Sequence, residues 1–157
     1  MAGRVLLATT LAAILVDQGS KWGVIHLLDL RSRLALDVWP PFLRFRMGWN
    51  EGINFGLLDG MPGIMRWLLI ALAVGVSLWV ARLALRDGRG RVAVAAGLLA
   101  GGALSNALDR LIHGAVADFL NMSCCGIANP FVFNLADVAV FAGALGLVLW
   151  ASPQKTP

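Results

Sequence analysis

Apolar residues run in four long stretches, roughly Val5 to Leu30, Ile64 to Leu85, Val92 to Ile112 and Phe133 to Trp150. A helix rises about 1.5 Å per residue, so about 20 apolar residues cross the roughly 30 Å of a bilayer's hydrocarbon core. Each stretch is therefore read as a membrane span. The first follows Arg4 as an export signal would, yet it outruns a signal's apolar region and holds Asp17 and Lys21, so it is expected to be retained. An even number of spans puts both termini on one side and the connections 31–63 and 113–132 on the other. Arg82, Arg86, Arg89 and Arg91 crowd the short middle connection and, with Arg4 and Lys155, assign that side to the cytoplasm. Arg31, Arg33, Arg44, Arg46 and Arg66 weigh the other way.

Within the first long connection the period changes. Leu43-Arg44-Phe45-Arg46-Met47 alternates apolar and charged residues after Pro40-Pro41, the pattern of a strand with one face covered. A small sheet on the membrane surface is expected there, with Trp39, Trp49 and Trp67 near the same boundary, where indole rings prefer to sit.

Composition supports the membrane reading. Of 157 residues, 59% are hydrophobic and 14% charged, and mean hydropathy is +0.76. Soluble domains carry about 25% charged residues, so a cytosolic enzyme and a disordered chain are both excluded. Net charge is +4 with a pI near 10.0, but the basic residues are scattered without an aromatic-basic platform, so no nucleic-acid partner is expected. Cys124 and Cys125 are adjacent and have no zinc-type spacing. No internal repeat or second domain is visible, and residues 1–157 are read as one domain.

Charged residues in hydrocarbon cost several kcal/mol, so each needs a partner or a task. Asp17 lies roughly 18 Å along its span from Val5, and Asp109 roughly 25 Å from Val92, both starting from one side. Asp17 and Lys21 share a helical face, as do Asn106, Asp109 and Arg110. All approach the leaflet where the fourth stretch begins with Asn134 and Asp137, and where Asn50, Glu51 and Asp118 lie in the connections. Asp17 with Lys21 reads equally well as a neutralising pair, Asp109 with Arg110 as an anchor at the headgroups, and the two asparagines as interhelical glue. Asp118 and Asp137 differ, because each stands among apolar residues with no basic neighbour within four positions. Two such carboxyls close together would share a proton. Gly97 with Gly101, and Ala139 with Gly143, read as helix contacts. His26 and His113 form no zinc motif, Ser20, Ser105 and Ser123 have no nucleophile context, and no phosphate-cradling loop occurs.

Four motifs together resemble the lipoprotein signal peptidases (signal peptidase II), bacterial intramembrane aspartyl peptidases. They are Asp17-Gln18-Gly19-Ser20-Lys21, Asn50-Glu51-Gly52-Ile53-Asn54-Phe55-Gly56, the stretch from Gly101 through Asn106, Asp109 and Arg110 to Asp118-Phe119, and Phe133-Asn134-Leu135-Ala136-Asp137. The resemblance implies an all-α membrane protein with four transmembrane helices and a small extramembrane β-sheet in the first periplasmic connection. It implies a catalytic pair, Asp118 and Asp137, with Asp17, Lys21, Asn50, Gly102, Asn106, Arg110 and Asn134 lining or supporting the site and Asp109 in a structural pair with Arg110. Asn54 and Ser105 depart from the family pattern, which usually has a small apolar residue and Gly there. The implied substrate is a prolipoprotein whose cysteine carries diacylglycerol, cut just before that cysteine at the periplasmic side of the inner membrane. No metal or organic cofactor is needed, both termini would be cytoplasmic, and the working unit is expected to be a monomer in contact with membrane lipid. Two rival readings are a small ion or proton transporter using Asp17, Lys21 and Asp137, and a metal-dependent hydrolase using aspartate and His113.

Overall fold

Four long helices and one small sheet make up the computed structural model, which describes residues 1–52, 62–126 and 129–151. Asn54, the rest of its motif from Ile53 to Gly56, and Lys155 lie outside the described residues. In chain order the elements are α1 (Ala2–Trp22), a π-helical turn (Gly23–Leu27), the short α2 (Leu30–Arg33), β1 (Ala35–Trp39), β2 (Leu43–Asn50), α3 (Pro62–Asp87), α4 (Gly90–His113), β3 (Val116–Met122) and α5 (Leu135–Trp150).

Helix α4 forms the axis, packing against α1, α3 and α5. Its Val92, Ala93, Ala96, Leu99 and Ala100 are buried against Ala2 and Leu6 of α1 and Val80 and Ala84 of α3. Small side chains let the backbones approach, which is how helices associate where lipid offers no hydrophobic drive. A Cβ on Gly101 would lie 2.7 Å from the Thr10 carbonyl oxygen, and one on Gly102 would collide with the Ala136 carbonyl oxygen and come 2.8 Å from Val140. The outer faces of the bundle are apolar: Leu15 is 71% exposed, Phe141 76% and Val148 80%. Such a surface suits hydrocarbon and would be a liability in water.

α1, α3 and α4 are long and apolar enough to cross a membrane, whereas the fourth expected span is a shorter apolar helix of sixteen residues, Leu135–Trp150. It starts later than Phe133 for two local reasons. Phe133 is bridged to Leu120 of β3, its N–H reaching the Leu120 carbonyl at 3.0 Å. Asn134 then caps the helix in a reciprocal capping box with Asp137.

The sheet is antiparallel in the order β1-β2-β3. The first connection therefore supplies only two of its strands. The expected small sheet is present, and its third strand comes from the second connection. Two-stranded ribbons are marginal, and the unpaired edge of β2 is met by β3, whose residues Val116 to Phe119 are buried on both faces. Phe45 and Leu36, partly buried, pack with Phe119, Val24 and Leu30, and Phe45 stands edge-on to Phe119 at 5.5 Å. The alternating Leu43, Phe45 and Met47 are thus half-buried between exposed arginines, and Phe45 and Met47 turn toward protein.

Candidate active site

Three segments bring the two unpaired acids of the sequence together. Asp118 lies mid-strand in β3, opposite Gly48 of β2. The bulge between Phe45 and Gly48 sets that pairing, and Asn50, two residues on, falls diagonally across from Asp118 on the same face. A Cβ on Gly48 would sit 2.6 Å from Val132, so glycine there lets the segment leading to α5 close over the strand. Asp137 stands in the first turn of α5, where a carboxylate is favoured by the helix dipole and completes the capping box.

Asn134 ties the two. Its Nδ2 donates to Asp118 Oδ1 at 2.5 Å, while its Oδ1 accepts the Asp137 N–H at 2.9 Å. The Asn134 N–H donates in turn to Asp137 Oδ2 at 3.2 Å. Asn106 of α4 closes the circuit, donating to Asp137 Oδ1 at 2.9 Å and accepting from Asn134 at 3.2 Å. Asn50 donates to the other oxygen of Asp118 at 3.1 Å. Asp118 is only 2% exposed. Burial first, then the Asp137 carboxylate, pushes its carboxyl up to about 6, against the opposing pull of the Asn50 and Asn134 amides and Lys21. It is thus a carboxyl that keeps its proton into the mildly acidic range beside a second acid.

Beneath this pair lies a buried ionic network. Lys21 Nζ contacts Asp17 Oδ2 at 2.6 Å and Asp109 Oδ2 at 2.8 Å, and reaches Asn106 Oδ1 at 3.3 Å. Asp17 also accepts from Ser105 Oγ at 2.7 Å and from the Ala136 N–H at 2.8 Å, next to the Gly102 contact. Asp109 accepts from Gln18 at 2.7 Å and from the Ala117 N–H at 3.1 Å. One ammonium and two carboxylates therefore fasten α1, α4, β3 and α5 at the level of Asp118. Every carboxylate oxygen of Asp17 and Asp109 has a donor, so neither is free to bind a metal. Among the described residues no three His, Cys, Asp or Glu side chains gather as ligands.

The expected Asp109–Arg110 pair is not formed. Asp109 turns to Lys21 and Gln18, because successive helix positions point about 100° apart. Arg110 instead donates to the Asn106 carbonyl at 3.3 Å, with Nε buried and unpartnered, in electrostatic reach of Asp118 and Asp137. The Asp17–Lys21 pair exists but is not merely intrahelical, since Lys21 also serves Asp109. All nine expected site residues fall in or against this cluster. Sequence reasoning missed Gln18 and the bonding role of Ser105. An amide inside an apolar span, one turn from a charged pair, was the available signal for Gln18.

Asp118 opens onto a cavity of about 450 Å³ walled by Trp49, Asn50, Glu51, Met65, Phe131 and Val132, among others. Its wall combines polar Asn50, Glu51 and Asp118 with apolar Trp49, Met65, Phe131 and Val132, so a polar backbone attached to an apolar group would find partners for both.

The family described as Signal peptidase (SPase) II matches residues 9–152. The lipoprotein signal peptidase of Methylobacterium radiotolerans is 42% identical over 150 residues, covering 92% of this chain and 82% of that protein. That of Methylorubrum extorquens is 40% identical over 149 residues, covering 91% and 82%. In three dimensions the chain is similar to a bacterial membrane enzyme solved by the in meso method at 1.9 Å, with a TM-score of 0.77, 23% identity and coverage of 96% and 94%, a likeness of fold. With a match over most of its length and relatives at this identity, the chain belongs to the signal peptidase II family of aspartic-type membrane peptidases.

Proposed function

We propose that this chain cleaves the signal peptide from prolipoproteins, just before a diacylglyceryl-modified cysteine, with Asp118 and Asp137 as the catalytic pair. The relatives it matches are named lipoprotein signal peptidases, and the observation that carries the residue assignment is the double contact of Asn134 with both carboxyl-bearing residues. Peptide hydrolysis by two acids needs one ionised group to take a proton from water and one protonated group to assist the carbonyl and then the leaving amine. Like charges in a poorly solvated site resist ionising together, so two acids placed side by side are suited to sharing one proton.

The remaining residues act on position. Asn134, Asn106 and Asn50 fix the carboxyl oxygens by hydrogen bonds. Lys21, Asp17 and Asp109 fasten the helices that carry them, and Gly102 admits the first turn of α5. Arg110, with an unused donor among the acids, is suited to a substrate carbonyl. The chain is a multi-pass bacterial membrane protein. We place it in the inner membrane with both termini cytoplasmic, as Arg82, Arg86, Arg89 and Arg91 favour, working as a monomer among lipids whose hydrocarbon also houses the substrate's acyl chains. An ion path would need polar groups through the thickness of the bundle, whereas the network described above gathers at one end.

The test is one precursor prepared with and without diacylglycerol on its cysteine and incubated with the purified protein. Cleavage of the lipidated form alone supports the assignment. Equal cleavage of both, or of neither, defeats it.

A further inference from the structure

One reactive pair stands outside the catalytic cluster. Cys124 and Cys125 are adjacent, exposed and free. They lie in the turn after β3, with Cys125 in the left-handed region at φ 58°. The Cys125 thiol beside it pushes the Cys124 thiol up, which leaves the first attack to Cys125, because the thiolate is the nucleophile.

Beside this turn, on the outer side of the sheet, is a cavity of about 460 Å³ whose wall includes Asp37, Arg44, Arg46, Asn121, Ser123 and Asn129. Asp37 is engaged by Arg44, while Arg46 has no ion pair among the described residues. A dithiol next to a cationic, hydrogen-bonding hollow is a combination that neither feature supplies alone.

We propose that Cys124 and Cys125 form a thiol–disulfide exchange site for small carboxylate-bearing disulfides, drawn in by Arg46. Cys125 gives its proton to solvent and its thiolate attacks one sulfur of the incoming disulfide, breaking that S–S bond and releasing a thiolate. Cys124 then loses its proton and attacks the Cys125 sulfur of the mixed disulfide, releasing the second thiolate and closing a Cys124–Cys125 disulfide. The protein loses two electrons and two protons, and the small disulfide becomes two thiols.

The turn is wired to the catalytic cavity. The Asn129 N–H donates to Ser123 Oγ at 3.1 Å, and Asn121 Nδ2 donates to the carbonyls of Asn129 and Phe131 at 2.8 and 2.7 Å. Phe131 and Val132 wall the cavity at Asp118. Closing the ring redraws this turn and with it the substrate's access, a consequence that rests on the cleavage reaction assigned above.

Full-length protein in detergent is treated at low salt with oxidised glutathione or with neutral hydroxyethyl disulfide, each rate being referred to that reagent's rate with free cysteine. Intact mass is expected to fall by two hydrogens, about tenfold faster with the anionic reagent. Arg46→Gln removes that preference alone, and Cys124→Ser accumulates the mixed disulfide on Cys125. Equal referred rates, an indifferent Arg46→Gln variant, or no mass change overturns the exchange site. Oxidised protein should also show a several-fold higher KM for lipidated precursor than the identically treated Cys124→Ser/Cys125→Ser variant, and an unchanged KM at complete oxidation overturns the coupling. Because mass is read without substrate, the exchange site stands or falls apart from the peptidase assignment.

Discussion

Asp118 carries opposing demands: it is buried beside another acid, yet two amides hold its oxygens as if it were charged. The balance puts its titration near 6. If the pair works with one proton, cleavage declines as pH rises through about 6 and that proton is lost. Removing an amide that stabilises the charged form raises the pKa further, so Asn50→Ala should move this alkaline limb to higher pH. A pH profile of kcat/KM checks it, and a limb that stays put or moves to lower pH contradicts the assignment. The same shift affects folding. A carboxyl held above the ordinary carboxylate value contributes stability fully below about pH 4, and that contribution is lost as pH rises through about 6. Thermal stability of the parent should therefore fall over that window, and Asp118→Asn should flatten the fall. Asp118 and Asp137 could be picked out of the sequence because an acid among apolar residues without a basic neighbour is costly. The partner of Asp109 could not be. Arg110 is adjacent in sequence but points elsewhere on the helix, and Lys21 is brought in from another helix by packing that no local pattern encodes.

At the scale of elements, the start of α5 is the sensitive point. Asn134 is at once the helix cap, the bridge between the acids and a partner of Asn106. Asn134→Ala should cost about 1 kcal/mol as a lost cap and reduce kcat far more than that loss of stability explains. Thermal melting and kinetics on one preparation separate the two effects, and a variant with parent-like kcat would show the bridge to be idle. Gly102→Ala drives a methyl into the Ala136 carbonyl. It should destabilise by about 1–3 kcal/mol, as overpacking does, and an unchanged melting temperature would contradict the close approach. Spans α1, α3 and α4 were legible from apolar length alone. β3 was not, because a short apolar run buried on both faces lacks the alternation that announced β2. The late start of α5 was hidden too, since Phe133 looks like helix until its pairing with Leu120 is seen.

For the whole molecule, the Lys21 network holds three helices and a strand in register at one end of the bundle. Replacing Lys21 with Met leaves Asp17 and Asp109 facing each other without their cation. Breaking a buried pair in this way typically costs about 3–5 kcal/mol. Lys21→Met should therefore melt far lower than the parent and lose activity, with the Asp17→Asn/Lys21→Met double variant recovering part of the stability. No recovery in the double variant would mean that the network is not the fastener described. The gathering of polar residues at one end was visible from helical rise and the direction of each span. Its division into an ionic fastener and a separate pair of acids emerged only from the side-chain contacts. The most direct test of that division is cleavage of a diacylated precursor by purified Asp118→Asn and Asp137→Asn proteins that remain folded. Each should lose activity by roughly 10²- to 10⁴-fold or more, and parent-like turnover by either one would contradict the assignment of the catalytic pair.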